Sequence, residues 1–148
     1  MTAAAPVDPL ALQSQVCFAL AVASRRVIAE YRPLLEPMGL THPQYLVMLA
    51  LWQHEPLSLR QLGELVSLEP ATLSPLVKRL EGLGYVRRGR RADDERTLDV
   101  TLTDEGRALR AGALAIPPAM MAQLGMSVDE LQALHALLSD LIGRTAAH

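Results

Sequence analysis

The sequence predicts a mainly helical fold with one small β-hairpin. Its 148 residues are 50% hydrophobic but only 3% aromatic, and leucine and alanine dominate, which favours helices over a sandwich of strands. Apolar residues recur at helical spacing along most of the chain. Residues 85–88 and 97–102 instead alternate apolar and polar side chains, as two short strands do.

The central third of the chain predicts two short helices followed by the hairpin. Ser58 is placed to cap a helix over residues 59–66, because Gln61 follows at the spacing of a capping box. A second helix over about 70–83 carries a leucine stripe on one side and polar residues on the other. The charged stretch 89–96 then joins the two strands. A helix, a turn, a helix and an arginine-rich hairpin form a winged helix-turn-helix, in which the second helix enters the major groove of DNA and the wing contacts the backbone or minor groove.

Two sets of side chains in this unit are candidates for contact with double-stranded DNA. Four on the second helix are expected to face the major groove, where bases are read through hydrogen bonds: Thr72, Ser74, Lys78 and Arg79. Three in the hairpin are expected to contact phosphates: Arg88, Arg90 and Arg91. Arg96 is expected to insert into a groove, with Asp94 holding the hairpin or orienting that arginine. The competing interpretation, a solvated hairpin without a ligand, is disfavoured by the helix-turn-helix before it.

The charge distribution supports this interpretation, although the net charge does not. The whole chain has a formal net charge of −2. Between Lys78 and Arg91, however, there are six basic residues and one acid, Glu81. A basic face on a weakly acidic protein is therefore expected.

Several other classes of protein are disfavoured by the sequence. Cys17 is the only cysteine, so no intramolecular disulfide can form. No apolar run approaches the roughly 20 residues of a membrane span, and the first residues lack the basic region of a signal peptide. We therefore expect a cytoplasmic protein with no membrane partner. We find no metal-ligand spacing, paired carboxylates, nucleophile motif or phosphate loop, so we expect no metal, no cofactor and no enzymatic activity.

The two ends of the chain predict helices for dimerisation. Within a single domain over 1–148, the DNA-binding region spans 42–102, and the segments 9–35 and 103–148 flank it. Both flanking segments carry apolar stripes too long for one small domain to cover. Pro117-Pro118 is expected to interrupt the second flanking segment. Pairing of two copies would bury these stripes, and a two-fold dimer matches a pseudo-palindromic operator.

These residues resemble a known family. Asp94-x-Arg96 followed by Leu102-Thr103 resembles the wing signature of MarR-type transcription regulators, and the order of helices is similar to theirs. Four further segments resemble OhrR, the branch of that family that senses organic hydroperoxides: QVCFAL at 15–20, YRPLL at 31–35, LTHPQYL at 40–46 and LVKRLE at 76–81.

The resemblance implies a repressor that is released from DNA by oxidation. By resemblance, an organic hydroperoxide oxidises Cys17 to a sulfenic acid, and Tyr31 of the other subunit supports that cysteine. Ala21 stands where the branch usually carries a tyrosine, and His42 where it usually has the tyrosine of Thr-Tyr-Pro. A protonated His42 close to the cysteine would favour its thiolate. The lone cysteine is similar to the one-cysteine subtype, which lacks a resolving partner.

The spacing of Cys17 and Tyr31 agrees with a sensor shared between subunits. Fourteen residues on one helix place them on the same side but about 21 Å apart, so they cannot touch within one chain. Two such helices crossing antiparallel near Ser24 would bring Cys17 of one against Tyr31 of the other.

Other interpretations of the same residues remain open at this point. A MarR-type repressor could instead be released by a small aromatic or phenolic ligand in the cleft between the dimer and DNA-binding regions, which Ala21 would enlarge. Cys17 would then be only a small hydrophobic residue. Tyr31 on its own would be a packing residue, and His42 near a helix start is more often structural than a proton switch.

Overall fold

The computed structural model describes residues 4–6, 8–91 and 93–146, with all of their side chains except those of Asp94 and Glu95. Within these residues the helices are α1 (Val16–Leu35), α2 (His42–His54), α3 (Leu59–Val66), α4 (Pro70–Gly82), α5 (Asp104–Ala113), α6 (Ile116–Leu124) and α7 (Val128–Thr145). The strands are β1 (Leu57–Ser58), β2 (Val86–Arg91) and β3 (Asp94–Leu102). The predicted mainly helical fold with a small antiparallel hairpin is confirmed.

Side-chain caps define where the main helices begin. The hydroxyl groups of Thr41, Ser58 and Ser127 each accept a hydrogen bond from the backbone three residues on, and each is completed into a capping box by a glutamine or glutamate. Thr103 caps α5 in the same way, with two acids in the first turn, where the helix dipole favours negative charge. The helix starts are therefore encoded locally.

The sheet forms the wing and joins it to the helix-turn-helix. Its order is β1-β3-β2, with both pairings antiparallel. Val86 lies opposite Leu102 and Leu57 opposite Val100, so the base of the sheet is apolar. The register shifts between Arg90 and Arg91, near the tip. The base of the wing is therefore fixed by packing, while its far end is polar.

The hydrophobic core lies between α2, α3, α4 and the base of the sheet. Each of these elements contributes side chains that are fully buried: Val47, Met48, Leu51, Leu62, Leu73, Val77, Leu80, Val86 and Val100. Burial of a leucine or valine of this kind stabilises the fold by about 1.5–3 kcal/mol. The core thus orients α4 and the wing together.

The end helices, in contrast, are largely uncovered in the single chain. None of the residues of α7 is buried, and Leu35 is the buried residue of α1. Leu137 on α7 is 71% exposed and Val16 on α1 is 69% exposed. Among the described residues no single helix is long and apolar enough to cross a membrane, although α5 and α6 followed by α7 pass that test as a pair bent by 96°.

One sequence-based boundary was wrong, and two others are close to their predicted places. The first long helix begins at Val16 and not near residue 9, because Gln15 donates hydrogen bonds from its side chain to the carbonyls of Pro9 and Ala11 and stabilises a turn there. The interruption predicted at Pro117-Pro118 is present as the break between α5, which ends at Ala113, and α6, which begins at Ile116. The two prolines lie in the first turn of α6, where proline is tolerated because the N–H has no helical partner. The second helix of the helix-turn-helix ends at Gly82, within one residue of its predicted end.

The wing was also predicted too short. The stretch 89–96 was expected to be a loop, but β2 continues to Arg91 and β3 begins at Asp94. Charged side chains are accommodated there because Arg90, Asp93 and Arg96 are exposed to water. β1 was not predicted, since two residues are too few to show an alternation.

Candidate functional site

The exposed face of α4 carries the residues expected to meet DNA. Leu73, Val77 and Leu80 are fully buried against the core and fix the helix by its opposite face. Thr72, Lys78 and Arg79 are exposed, and Ser74 is half-buried at the edge of that face. Three of the four predicted groups therefore share one accessible surface.

Pro75 interrupts the hydrogen bonding of α4 on that same surface. It is the sixth residue of the helix, beyond the first turn, and it is exposed. Because proline has no N–H, it cannot bond to the carbonyl of Ala71. The exposed polar side chains of this face are therefore Thr72 at one end and Lys78 and Arg79 at the other.

Arg88 is held by Glu81 of α4. Its guanidinium Nη2 lies 3.1 Å from Glu81 Oε1, and its backbone N–H donates to Glu81 Oε2 at 3.0 Å. These hydrogen bonds lower the pKa of the Glu81 carboxyl, so the carboxylate form is favoured. Glu81 therefore fixes β2, the first strand of the wing, to the end of α4. Arg88, which was predicted to contact a phosphate, forms this link through its pairing with Glu81.

The other wing residues fall into two groups. Arg91 is half-buried, and its guanidinium contacts both oxygens of Asp99 at 2.9–3.3 Å, which holds the two strands together beside the irregular register. Arg90 and Arg96 are exposed. Asp94 starts β3, but its side chain lies outside the described part of the structure, so its predicted role stays a prediction.

A cleft between α3 and the wing contains an arginine that the sequence interpretation missed. The cleft has a volume of about 610 Å³, and its polar and charged lining includes Ser58, Arg60, Gln61, Glu64, Arg91 and Arg96. The side chain of Arg60 is 89% exposed and makes one surface ion pair, with Glu64 at 3.4 Å. Such exposed pairs are weak, so the Arg60 guanidinium can exchange this partner for a phosphate. The sequence signal that could have identified Arg60 is its position in the first turn of α3.

Exposed basic side chains thus come from three elements of the helix-turn-helix and the wing. Arg60 comes from α3, Lys78 and Arg79 from α4, and Arg87 and Arg90 from β2, and all five are exposed. Arg87, like Arg60, was not among the predicted contacts. This arrangement is suited to a polyanion that spans the helix-turn-helix and the wing.

Cys17 lies on an uncovered part of the molecule. It is the second residue of α1 and is exposed in the single chain. The first turn of a helix has unpaired N–H groups that favour negative charge nearby. Ala21, one turn further along, is also exposed. The described residues contain no cluster of His, Cys, Asp and Glu suited to a metal ion.

Tyr31 lies at the far end of α1, in a cluster with two aromatic side chains of α2. Its ring centroid is 4.8 Å from that of His42 and 5.8 Å from that of Tyr45. Burial raises the pKa of Tyr31 and of Tyr45 and lowers the pKa of His42. The neutral imidazole is therefore favoured in the single chain, and a nearby anion such as a thiolate would oppose this effect.

Comparison with known proteins places this arrangement in a family. The model of the MarR family matches residues 40–98. The organic hydroperoxide resistance transcriptional regulator of Bacillus subtilis is 37% identical over 135 residues, which cover 91% of this chain and 92% of that protein. The chain belongs to the MarR family. It is a transcriptional regulator with a winged helix-turn-helix and not an enzyme, as the sequence predicted.

Other MarR-family relatives extend this comparison. The HTH-type transcriptional regulator TtmR of Methylorubrum extorquens is 45% identical over 127 residues, covering 86% of this chain. The chain spans 65% of the length of TtmR. The crystal structure of AbfR of Staphylococcus epidermidis superposes with a TM-score of 0.78 at 32% identity, covering 93% of this chain and 95% of AbfR. Reduced AbfR has also been solved bound to DNA, with a TM-score of 0.74 at 33% identity over 91% of this chain and 94% of AbfR.

Proposed function

We propose that this MarR-family regulator is a homodimeric repressor that leaves its operator when an organic hydroperoxide oxidises Cys17. The observation that carries the proposal is the placement of Cys17 and Tyr31 on α1. Cys17 is exposed in the first turn of a largely uncovered helix, while Tyr31 is held in the aromatic cluster fourteen residues away. The two side chains are suited to meet between subunits and not within one.

The DNA-binding part of the proposal rests on the basic surface. The exposed face of α4 fits the major groove, and Arg87, Arg90 and Arg96 of the wing extend the positive charge along the backbone or minor groove. Arg60 adds a phosphate contact from α3. The structure of reduced AbfR on DNA supports this use of the fold. The target would be a pseudo-palindromic operator in the cytoplasm.

The dimer part rests on the end helices. Exposed apolar side chains concentrate on α1 and on α7, the helix without a buried residue: Val16, Phe18, Ile28, Val128, Leu134, Leu137, Leu141 and Ile142. A second copy would cover these surfaces, since large exposed apolar patches mark interaction sites. The segments 9–35 and 103–148 are therefore proposed as dimerisation segments around the DNA-binding region 42–102.

The proposed sensing step is a two-electron oxidation of sulfur. The Cys17 thiolate attacks the terminal oxygen of the hydroperoxide, a sulfur–oxygen bond forms, and the oxygen–oxygen bond breaks. The alkoxide that leaves takes up the proton lost by the thiol and departs as an alcohol, and the cysteine becomes a sulfenic acid. Because the chain has one cysteine, the sulfenic acid awaits an external thiol or further oxidation.

Release of DNA would follow from a change at the subunit interface. The altered contact between Cys17 of one subunit and Tyr31 and His42 of its partner would shift α1. The two recognition helices would then no longer be spaced by one turn of DNA, roughly 34 Å. A coupling of about 1–3 kcal/mol is enough for a 5–150-fold change in affinity.

The test is operator affinity with and without an organic hydroperoxide, for the parent protein and for Cys17→Ser at fixed salt. Peroxide should weaken binding by the parent and leave Cys17→Ser bound. If both proteins respond equally, a small aromatic or phenolic effector replaces oxidation as the signal. If neither responds to peroxide, the redox proposal is equally contradicted.

A further inference from the structure

The connection between α1 and α2 lies directly beside the proposed sensor. A single 3-10 turn, Glu36–Met38, follows α1, and Gly39 reverses the chain with φ +71° before α2 begins at His42. Tyr31 precedes this connection by about one and a half turns of α1. His42, the first residue after the connection, contacts the Tyr31 ring. The connection therefore joins the part of α1 that carries Tyr31 to the helix start that carries His42.

The connection is contacted from the opposite side by the end of the recognition helix. The Tyr85 hydroxyl donates a hydrogen bond to the Met38 carbonyl at 2.7 Å. Leu83 packs on Gly39, where an added Cβ would lie 3.8 Å from its Cδ2 atom. Leu83 and Tyr85 both lie in the short link from α4 to β2.

Tyr85 is itself fixed to the DNA-binding elements. Its backbone N–H donates to the Leu80 carbonyl at the end of α4, at 3.0 Å. Its carbonyl accepts from the backbone N–H of Thr103, at 3.1 Å, at the base of the wing. The next residue, Val86, begins β2. The Tyr85 backbone therefore bridges the end of α4 and the base of the wing.

We propose that Tyr85 is a positioning residue that couples the sensor to the DNA-binding face through its hydrogen bond to Met38. This inference rests on the proposed redox function and names the contact through which the signal passes. Other side-chain links around the wing base take different routes. Trp52 donates to the Gly106 carbonyl between α2 and α5, Thr103 donates to the Gly84 carbonyl, and Glu55 at the end of α2 accepts from the backbone N–H of Leu102. The Tyr85 hydroxyl instead joins the α1–α2 connection to the end of α4.

The test uses Tyr85→Phe, which removes the hydroxyl and keeps the ring. Trp52→Phe is the matched control, because it also removes one hydrogen bond between elements, at 2.9 Å, but leaves the connection untouched. For each variant and the parent, the fraction of Cys17 present as sulfenic acid is measured by trapping and mass spectrometry after treatment with cumene hydroperoxide. Operator affinity is measured on the same samples before and after treatment.

Tyr85→Phe should be oxidised like the parent and should bind the operator in the reduced state within about threefold of the parent. Its loss of affinity on oxidation should fall to less than about threefold, below the 5–150-fold range typical of such coupling. Trp52→Phe should respond like the parent. The inference alone is overturned if oxidised Tyr85→Phe releases DNA as the parent does, or if Trp52→Phe loses its response equally. A parent that keeps its DNA when oxidised overturns the proposed function and the inference together.

Discussion

Replacing Gly106 by alanine tests the close approach of α5 to the wing base. Gly106 is buried in the first turn of α5, where its N–H donates to the capping hydroxyl of Thr103 and its carbonyl accepts from Trp52. An added Cβ would lie 2.1 Å from the Tyr85 carbonyl oxygen and 3.3 Å from Leu102 Cδ2. Because the first distance is more than 1 Å shorter than an ordinary carbon–oxygen contact, the backbone must move.

The expected magnitude follows from two opposing terms. Overpacking against a backbone atom costs about 3 kcal/mol, and alanine gains up to about 1 kcal/mol over glycine in a helix. Gly106→Ala should therefore lower the free energy of unfolding by about 2 kcal/mol. Gly112→Ala, in the same helix, would meet only the flexible end of Met38 at 3.6 Å, so it should stabilise the fold by up to about 1 kcal/mol.

Urea denaturation followed by circular dichroism, at one fixed protein concentration, measures both changes. The difference between the two variants should be about 3 kcal/mol, and Gly106→Ala should also bind the operator more weakly, since its wing base is displaced. Equal stability of the two variants would refute the packing described for α5 against Tyr85.

Three further outcomes are expected. Because burial lowers the pKa of His42, the imidazole binds a proton more readily in the unfolded chain than in the folded one. The free energy of unfolding should therefore fall as the pH drops below about 6.5. His42→Phe should flatten that pH dependence, measured by urea titration. Arg90→Ala should reduce the slope of log affinity against log salt by about 0.9 for each phosphate that the Arg90 guanidinium neutralises, and an unchanged slope would remove Arg90 from the interface. Leu137→Glu should yield monomers in analytical ultracentrifugation, whereas Leu98→Glu, on the wing, should leave the mass unchanged.

The helix-turn-helix could be predicted because its signals are local. Ser58 and Gln61 encode the start of α3, and a leucine stripe ending in glycine encodes α4. The extent of the wing could not be predicted in this way. Aspartate is uncommon in strands, yet the Arg91–Asp99 pair across the hairpin stabilises a longer strand than either segment indicates alone.

The sensor region shows the same limit. The spacing of Cys17 and Tyr31 follows from the sequence, because both lie on one helix. The packing of Tyr31 against His42 and Tyr45 depends on how α1 meets α2, which periodicity does not specify. The hydrogen bond from Tyr85 to Met38 joins residues 47 positions apart and has no local signal at all.

The central claim is that oxidation of Cys17 itself causes release from the operator. The most direct measurement follows two quantities in one sample during a titration with an organic hydroperoxide: the fraction of Cys17 converted to sulfenic acid and the fraction of operator released. We expect the two fractions to rise together, with one peroxide consumed for each cysteine oxidised. Full oxidation of Cys17 to the sulfenic acid with the operator still bound, or release that precedes oxidation, would contradict the claim.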